Sequence, residues 1–314
     1  MRKIVIGSRG SQLALRQSKI LARALEKHHP DLEVSIAVIR TTGDKMPHTA
    51  LSKLTAGVKG LFVKEIEEAL LDQSIDVAVH SLKDLPTELP EGLTLAAIPE
   101  REDPRDALIT ASPEIQSLEA LPQKARLGTG SLRRRVQLQL LRQDLVVSPI
   151  RGNVDTRIRK IRERNLDGIV LAAAGLRRLG LEEKIAYLFP VEDMIPAIGQ
   201  GALGVEIRAA DERTLQLVKP LDDLPTRHCT LAERRFLQEM GGGCDVPMGA
   251  HATIENGNAC FTAFVADPAS LEVARRVCHG QPQDLERLAV ETAHYLLSQG
   301  GDQMLKESTI QYQS

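Results

Sequence analysis

The sequence predicts an α/β protein: two successive sets of alternating strands and helices, followed by a small α+β unit. Three observations carry this. The stretch from Lys3 to Ile98 reads β-α-β-α-β, which builds a parallel or mixed sheet with helices on its faces. A charged segment bounded by prolines, Pro99-Glu-Arg-Glu-Asp-Pro104, separates it from a second run of the same kind. The last part of the chain instead sets alternating strands between two helical stretches. A length of 314 residues fits two or three domains, at roughly 100–200 residues each.

In order, Lys3–Ile6 is a strand, Gly7-Ser-Arg-Gly-Ser11 a turn, and the stretch to His28 a helix stopped by Pro30. Glu33–Ile39 alternates as a second strand. Thr41–Gly60 is polar and rich in Gly and Lys, a long loop of the kind usually given to function. Phe62–Leu71 has amphipathic helical spacing, Ile75–Val79 is a buried strand and Leu93–Ile98 another. The second set has strands at Ala107–Thr110, Arg126–Gly128, Leu145–Ile150 and Gly168–Ala172, with helices at Leu132–Arg142 and Thr156–Arg164. The pattern breaks at Met194–Gly201. Pro225–Met240 is a helix, Ala250–Ile254, Ala259–Ala266 and Leu271–Cys278 are strands, and a helix over Gln283–Ser298 closes the chain.

Composition narrows the function. Aromatics make up 3% of the chain and Trp is absent, so the core is aliphatic and no stacking platform for single-stranded nucleic acid is expected. No apolar run approaches the ~18 residues a membrane span needs. Met1–Ile6 enters a strand without a signal-peptide core, so a cytoplasmic protein is expected. The four cysteines, Cys229, Cys244, Cys260 and Cys278, show no C-x-x-C spacing, so neither a metal site nor a disulfide framework is expected.

Net charge is −2 but unevenly placed. Arg126 to Arg178 holds twelve arginines and one lysine against four acids, a local +9 that leaves −11 for the rest. Three strand-then-helix junctions, Arg126–Arg135, Ser148–Arg157 and Ala172–Arg178, deliver arginines to one edge of one sheet. Helix starts bind anions through backbone N–H groups, and Thr129 and Ser131 add hydroxyls. The choice of Arg over Lys points to planar partners, carboxylate or phosphate. No phosphate-loop or dinucleotide motif is present. Arg159, Arg162 and Arg164 read as a solvated helix face.

Two further stretches stand out. His80, Ser81, Lys83 and Asp84 follow the Ile75–Val79 strand, and Pro86 ends them; ligands collect outside the carboxyl ends of such strands. An acid beside a base there can hold and move protons, although Asp84 could equally cap a turn. Met240-Gly-Gly-Gly-Cys-Asp-Val-Pro247 presents Cys244 on an exposed glycine turn with room for something attached to sulfur. Asp245 opposes thiolate formation, so a protease-like cysteine is not favoured. A non-catalytic anion trap would explain the arginine edge but not this turn.

Seven motifs, in order along nearly the whole chain, resemble the porphobilinogen deaminase (hydroxymethylbilane synthase) family. They are Gly7–Leu15, Lys59-Gly-Leu-Phe-Val-Lys-Glu65, His80-Ser-Leu-Lys-Asp-Leu-Pro86, Ser131-Leu-Arg-Arg134, Arg151-Gly-Asn-Val-Asp-Thr-Arg157, Gly199-Gln-Gly201 and Gly242-Gly-Cys-Asp-Val-Pro247. The resemblance implies two α/β domains like those of periplasmic binding proteins joined by a hinge, over 1–99 with 200–218 and over 100–199. A third, α+β domain over 219–314 would carry Cys244.

The resemblance also implies an enzyme that joins four porphobilinogen molecules head to tail, losing ammonia at each step, and hydrolytically releases hydroxymethylbilane. The chain would grow on a dipyrromethane cofactor held through a thioether by Cys244. Asp84, Lys83, Arg9, Arg151 and Arg157 would be catalytic, with Asp84 stabilising the cation that forms as ammonia leaves. Ser11, Gln17, Lys83, Asp84, Thr129, Ser131, Arg133, Arg134, Arg151 and Gly152 would hold the cofactor, and Arg9, Lys59, Arg157 and Arg178 the substrate. A monomer with no nucleic-acid or membrane partner is expected. This chain departs from the family pattern in a longer Leu51–Gly60 loop, in Gly130 where serine is usual, and in Asp245.

Overall fold

Strand β1 (Arg2–Arg9) turns Ile4 and Ile6 to one side and Val5 to the other, so both faces of the first sheet are apolar. The computed structural model describes residues 2–41, 63–241 and 246–305. Within it the chain forms two units, Met1–Glu102 with Ala202–Arg227, and Asp103–Gly201 with His228–Ser314. The predicted loop at Thr41–Gly60 lies, Thr41 apart, outside the described residues.

In the first unit, helix α1 (Gln12–His28) starts where Ser11 accepts a hydrogen bond from the Ala14 N–H, a side-chain N-cap. Its Leu21 and Leu25 pack on Ile4 and Ile6. Strand β2 (Leu32–Ile39) runs parallel to β1. Helix α2 (Lys64–Leu71) covers the other face through Ile66 and Leu70. Strand β3 (Val77–Ser81) lies parallel to β1, and β4 (Leu93–Ala97) ends this part of the chain. Strand β3 starts two residues later than the sequence suggests. Asp76, inside the predicted strand, is used instead to accept the Val5 N–H.

The second unit holds two sheets. One contains β5 (Asp106–Thr110), β6 (Arg126–Gly128), β7 (Val146–Ser148), β8 (Gly168–Ala172) and the short β9 (Tyr187–Leu188), in the order β7-β6-β8-β5-β9. Its helices are α3 (Leu132–Leu141), α4 (Val154–Glu163) and α5 (Ala173–Leu179). The chain then returns to the first unit as β10 (Leu203–Arg208) and α6 (Glu212–Val218). Strand β10 inserts antiparallel between β3 and β4, giving the order β2-β1-β3-β10-β4.

The two five-stranded sheets share one plan: three adjacent parallel strands, then an antiparallel one. The antiparallel strand, β5 or β10, is in each case the first strand after the chain crosses between units. Helix α7 (Leu224–Glu239) leads to the antiparallel sheet β11 (Met248–Glu255), β12 (Asn258–Ala266) and β13 (Val273–Gly280), and α8 (Leu285–Leu296) packs on it. Val136 and Ile195 join Phe264 and Ala266 in one buried cluster, so this sheet belongs to the same unit as β5–β9.

Candidate active site

Each five-stranded sheet gathers its predicted residues at the carboxyl edge of its parallel strands, where α/β sheets bind ligands. In the first unit Arg9 ends β1, Ser11 caps α1, and Lys83 and Asp84 lie in the single 3₁₀ turn Leu82–Asp84 that follows β3. Because β1 and β3 are parallel neighbours, these residues share one edge. Asp84 is exposed, while Leu82 and Leu85 on either side are buried against Val63, Ile98 and Ala202. The Leu82 N–H donates to the Ala202 carbonyl at 3.0 Å. Gln17 is buried in α1, and its Nε2 donates to Ser81 Oγ at 2.9 Å, fixing the residue before the turn. The turn is therefore held from both faces of the sheet, and its acid points to water.

In the second unit β7, β6 and β8 are parallel neighbours, so the three predicted junctions do share one edge. Ser131 caps α3 by accepting from the Arg134 N–H, and Asn153 caps α4 by accepting from Thr156. Thr129 is buried, and its hydroxyl accepts the Ser131 N–H. The first two junctions approach closely: a Cβ on Gly130 would sit 2.6 Å from the Ile150 carbonyl oxygen. Gly152 has φ +121°, and a Cβ there would come within 2.7 Å of Thr156 Cγ2, so the tight start of α4 needs glycine. Arg157 Nε donates to the Gly152 carbonyl and Arg178 Nη2 to the Gly201 carbonyl, each at 2.6 Å. Arg151 is exposed three residues beyond β7, which ends at Ser148 and not at the Ile150 that the sequence suggests.

Arg133 and Arg134 are engaged inside the fold. Both lie on α3 but turn inward, 3% and 5% exposed, onto Asp106 at the start of β5. Arg133 Nη1 is 2.7 Å from Asp106 Oδ2 and Arg134 Nη2 is 2.8 Å from Oδ1. Arg133 also donates to the Ile195 carbonyl, and Gln200 Nε2 donates to Asp106 Oδ1 and to the Pro104 carbonyl. Burial alone would raise the Asp106 pKa, but the two guanidinium charges outweigh it and hold the carboxyl well below its usual range. The trio keeps one net positive charge beneath the edge.

Sequence reasoning missed Asp106, whose one signal is an acid opening an apolar strand just after the proline-bounded connector. It also left His80 with the reacting groups, whereas His80 is buried within β3 and bonded to Glu206. Lys59 and Cys244, with Gly242, Gly243 and Asp245, lie outside the described residues. Among the described residues no group of acids, histidines and cysteines is placed to hold a metal ion.

Comparison with known proteins agrees with the motifs. Residues 4–216 match the porphobilinogen deaminase, dipyromethane cofactor binding domain, and residues 227–298 match the porphobilinogen deaminase, C-terminal domain. The porphobilinogen deaminase of Syntrophotalea carbinolica is 49% identical over 300 residues, covering 96% of this chain and 94% of its own. That of Brevibacillus brevis is 46% identical over 308 residues, with 98% of each chain covered. Among solved structures, an arginine-specific periplasmic binding protein of Salmonella typhimurium aligns over 75% of this chain and 98% of its own, at 13% identity and a TM-score of 0.39. With both family domains matched in order and near half of all positions identical to these relatives, the chain belongs to the porphobilinogen deaminase family.

Proposed function

We propose that this chain is a hydroxymethylbilane synthase: it condenses four porphobilinogen molecules head to tail, with loss of ammonia, and releases the linear tetrapyrrole by hydrolysis. Family membership supports the reading, and one structural observation carries it. Two adjacent parallel strands, β6 and β7, lead into helix starts bearing Thr129, Ser131, Arg151 and Arg157 over a buried net positive charge. Porphobilinogen brings an acetate and a propionate, and a growing chain multiplies them. Arginine forks and capped helix starts are the donors such a polyanion needs.

The same donor set fits a dipyrromethane cofactor, which carries carboxylates of the same kind. When bound, that group supplies the pyrrole end onto which new units are added. Thr129, Ser131, Arg151 and Gly152 would hold its carboxylates, with Ser11, Gln17 and Lys83 assisting, and Cys244 would anchor it through a thioether. Arg9, Lys59, Arg157 and Arg178 would hold the incoming substrate. Asp84 accepts the substrate pyrrole N–H and stabilises the positive charge that develops as ammonia departs. It then takes the proton that the newly coupled ring must lose. Lys83, next in the same turn, supplies the matching cation. We extend the reading to a three-domain monomer acting in the cytoplasm.

The test is an intact mass of the purified protein beside Cys244→Ser. Wild type heavier than its sequence by two pyrrole units, with the variant at its bare mass, is the expected result. If both match the bare sequence, porphobilinogen is added and the mass taken again. Wild type that still gains nothing would end the proposal.

A further inference from the structure

The first unit buries a cluster of titratable groups that the proposed chemistry does not use. His80 Nε2 lies 2.8 Å from Glu206 Oε2, with 4% and 0% of their side chains exposed. Glu67 of α2 is also buried and feels both charges. Among the described residues, Oε1 of Glu67 and Oε1 of Glu206 are buried without a hydrogen-bond partner. An orphaned buried acceptor costs free energy, so a cluster with two of them calls for a reason.

Topology supplies one. Antiparallel pairing sets Gly204 opposite His80 and Glu206 opposite Ala78, so the imidazole reaches diagonally past a residue with no side chain. The three cluster residues come from the three elements that seat the Asp84 turn. Val63 is one helical turn before Glu67, Ala202 is four residues before Glu206, and Leu82 is two after His80. Val63, Ala202, Leu82 and Leu85 form the apolar seat itself. The His80–Glu206 bond thus ties β3 to β10 beside that seat, and Glu67 of α2 is coupled to both through their charges.

We propose that Glu67, His80 and Glu206 are positioning residues, a buried acid–imidazole cluster that holds the Asp84 turn in place for the coupling step. The role in turnover rests on the synthase reading above; the positioning of the turn does not. Burial and the Glu206 charge push the Glu67 carboxyl up from its ordinary value, with His80 opposing them. Other charges facing the cluster are few. Glu68 flanks Glu67, and Arg208, along β10, is engaged by Asp76, Asp211 and the Leu70 and Ile75 carbonyls. Counting on the β1–β3 register sets Arg9 level with His80. Strand β4 brings no titratable side chain.

The experiment follows amide hydrogen exchange at Leu82 and Leu85 in the full-length protein, beside kcat and KM for porphobilinogen. In His80→Leu, protection of these two amides falls about tenfold and kcat at least about tenfold, while KM stays within about twofold. In Glu67→Gln, which imitates the protonated acid, the loss of protection that wild type shows as pH rises is reduced. A folded His80→Leu with wild-type protection and kcat overturns the proposal. If His80→Leu does not fold, Glu206→Gln decides: reduced protection supports the role, and unchanged protection and kcat overturn it. Exchange needs no substrate, so a wild type that makes no product fails the synthase reading alone.

Discussion

Arg133 and Asp106 meet at 2.7 Å inside the second unit, with 4% and 0% of their side chains exposed. Arg134 shares the same carboxylate, so one acid compensates two buried guanidinium groups. Removing the acid strands both. Asp106→Ala is expected to destabilise the protein by about 3–5 kcal/mol, read as a lower urea midpoint. A midpoint within error of wild type would mean that water or a repacked side chain replaces the carboxylate.

The same pair sets an acid response. Asp106 has its folded pKa below the ordinary 3.8, because Arg133 and Arg134 outweigh the cost of burial. A depressed acid contributes stability that is present above the unfolded value and is lost as pH falls through the folded one. Wild type should therefore lose stability progressively below about pH 3.8, and Asp106→Asn should lack that part of the slope. Urea midpoints taken at falling pH for the two proteins check this.

Gly130 tests how closely two loops of the proposed site must approach. A Cβ there would lie 2.6 Å from the Ile150 carbonyl oxygen, a backbone atom that cannot swing away. Gly130→Ala is expected to cost about 1–3 kcal/mol and to weaken porphobilinogen binding by separating the two helix starts. Stability and KM are the measurements, and a neutral substitution would show that these loops move apart freely.

Asp84 makes the complementary case, since it is exposed on a turn held by its buried neighbours. Asp84→Ala should leave unfolding free energy within about 0.5 kcal/mol of wild type. Turnover should fall by at least about 10²-fold, the scale for losing a group that stabilises developing charge. An active Asp84→Ala protein would remove the acid from the mechanism.

How far the molecule is legible from its sequence differs between elements. The 3.6-residue spacing of Leu21 and Leu25 and the alternation of Glu33–Ile39 mark α1 and β2 to within a residue or two. The three arginine junctions are legible because a strand followed by a helix start recurs in each, with a glycine turn between them in the first two. Strand β10 is not, because Leu203–Arg208 carries Gly204 and Glu206 and its place is set by partners far away in sequence. The inward turn of Arg133 and Arg134 is hidden for the same reason. A helical pattern shows which residues share a face but not which distant acid waits beneath it.

The insertion of β10 also bears on how the protein is made. Ser81 pairs with Leu203, so the first unit cannot complete its sheet until the entire β5–β9 segment has left the ribosome. Until then β3, buried over Val77–His80 in the finished sheet, is an open edge able to pair with another chain. A nascent chain ending near Gly201 should accordingly be aggregation-prone, and its rescue by a later-added Leu203–Arg208 segment should be slow, as for any long-range strand pairing. The order of synthesis thus makes the two units partners in folding before either has a substrate to bind.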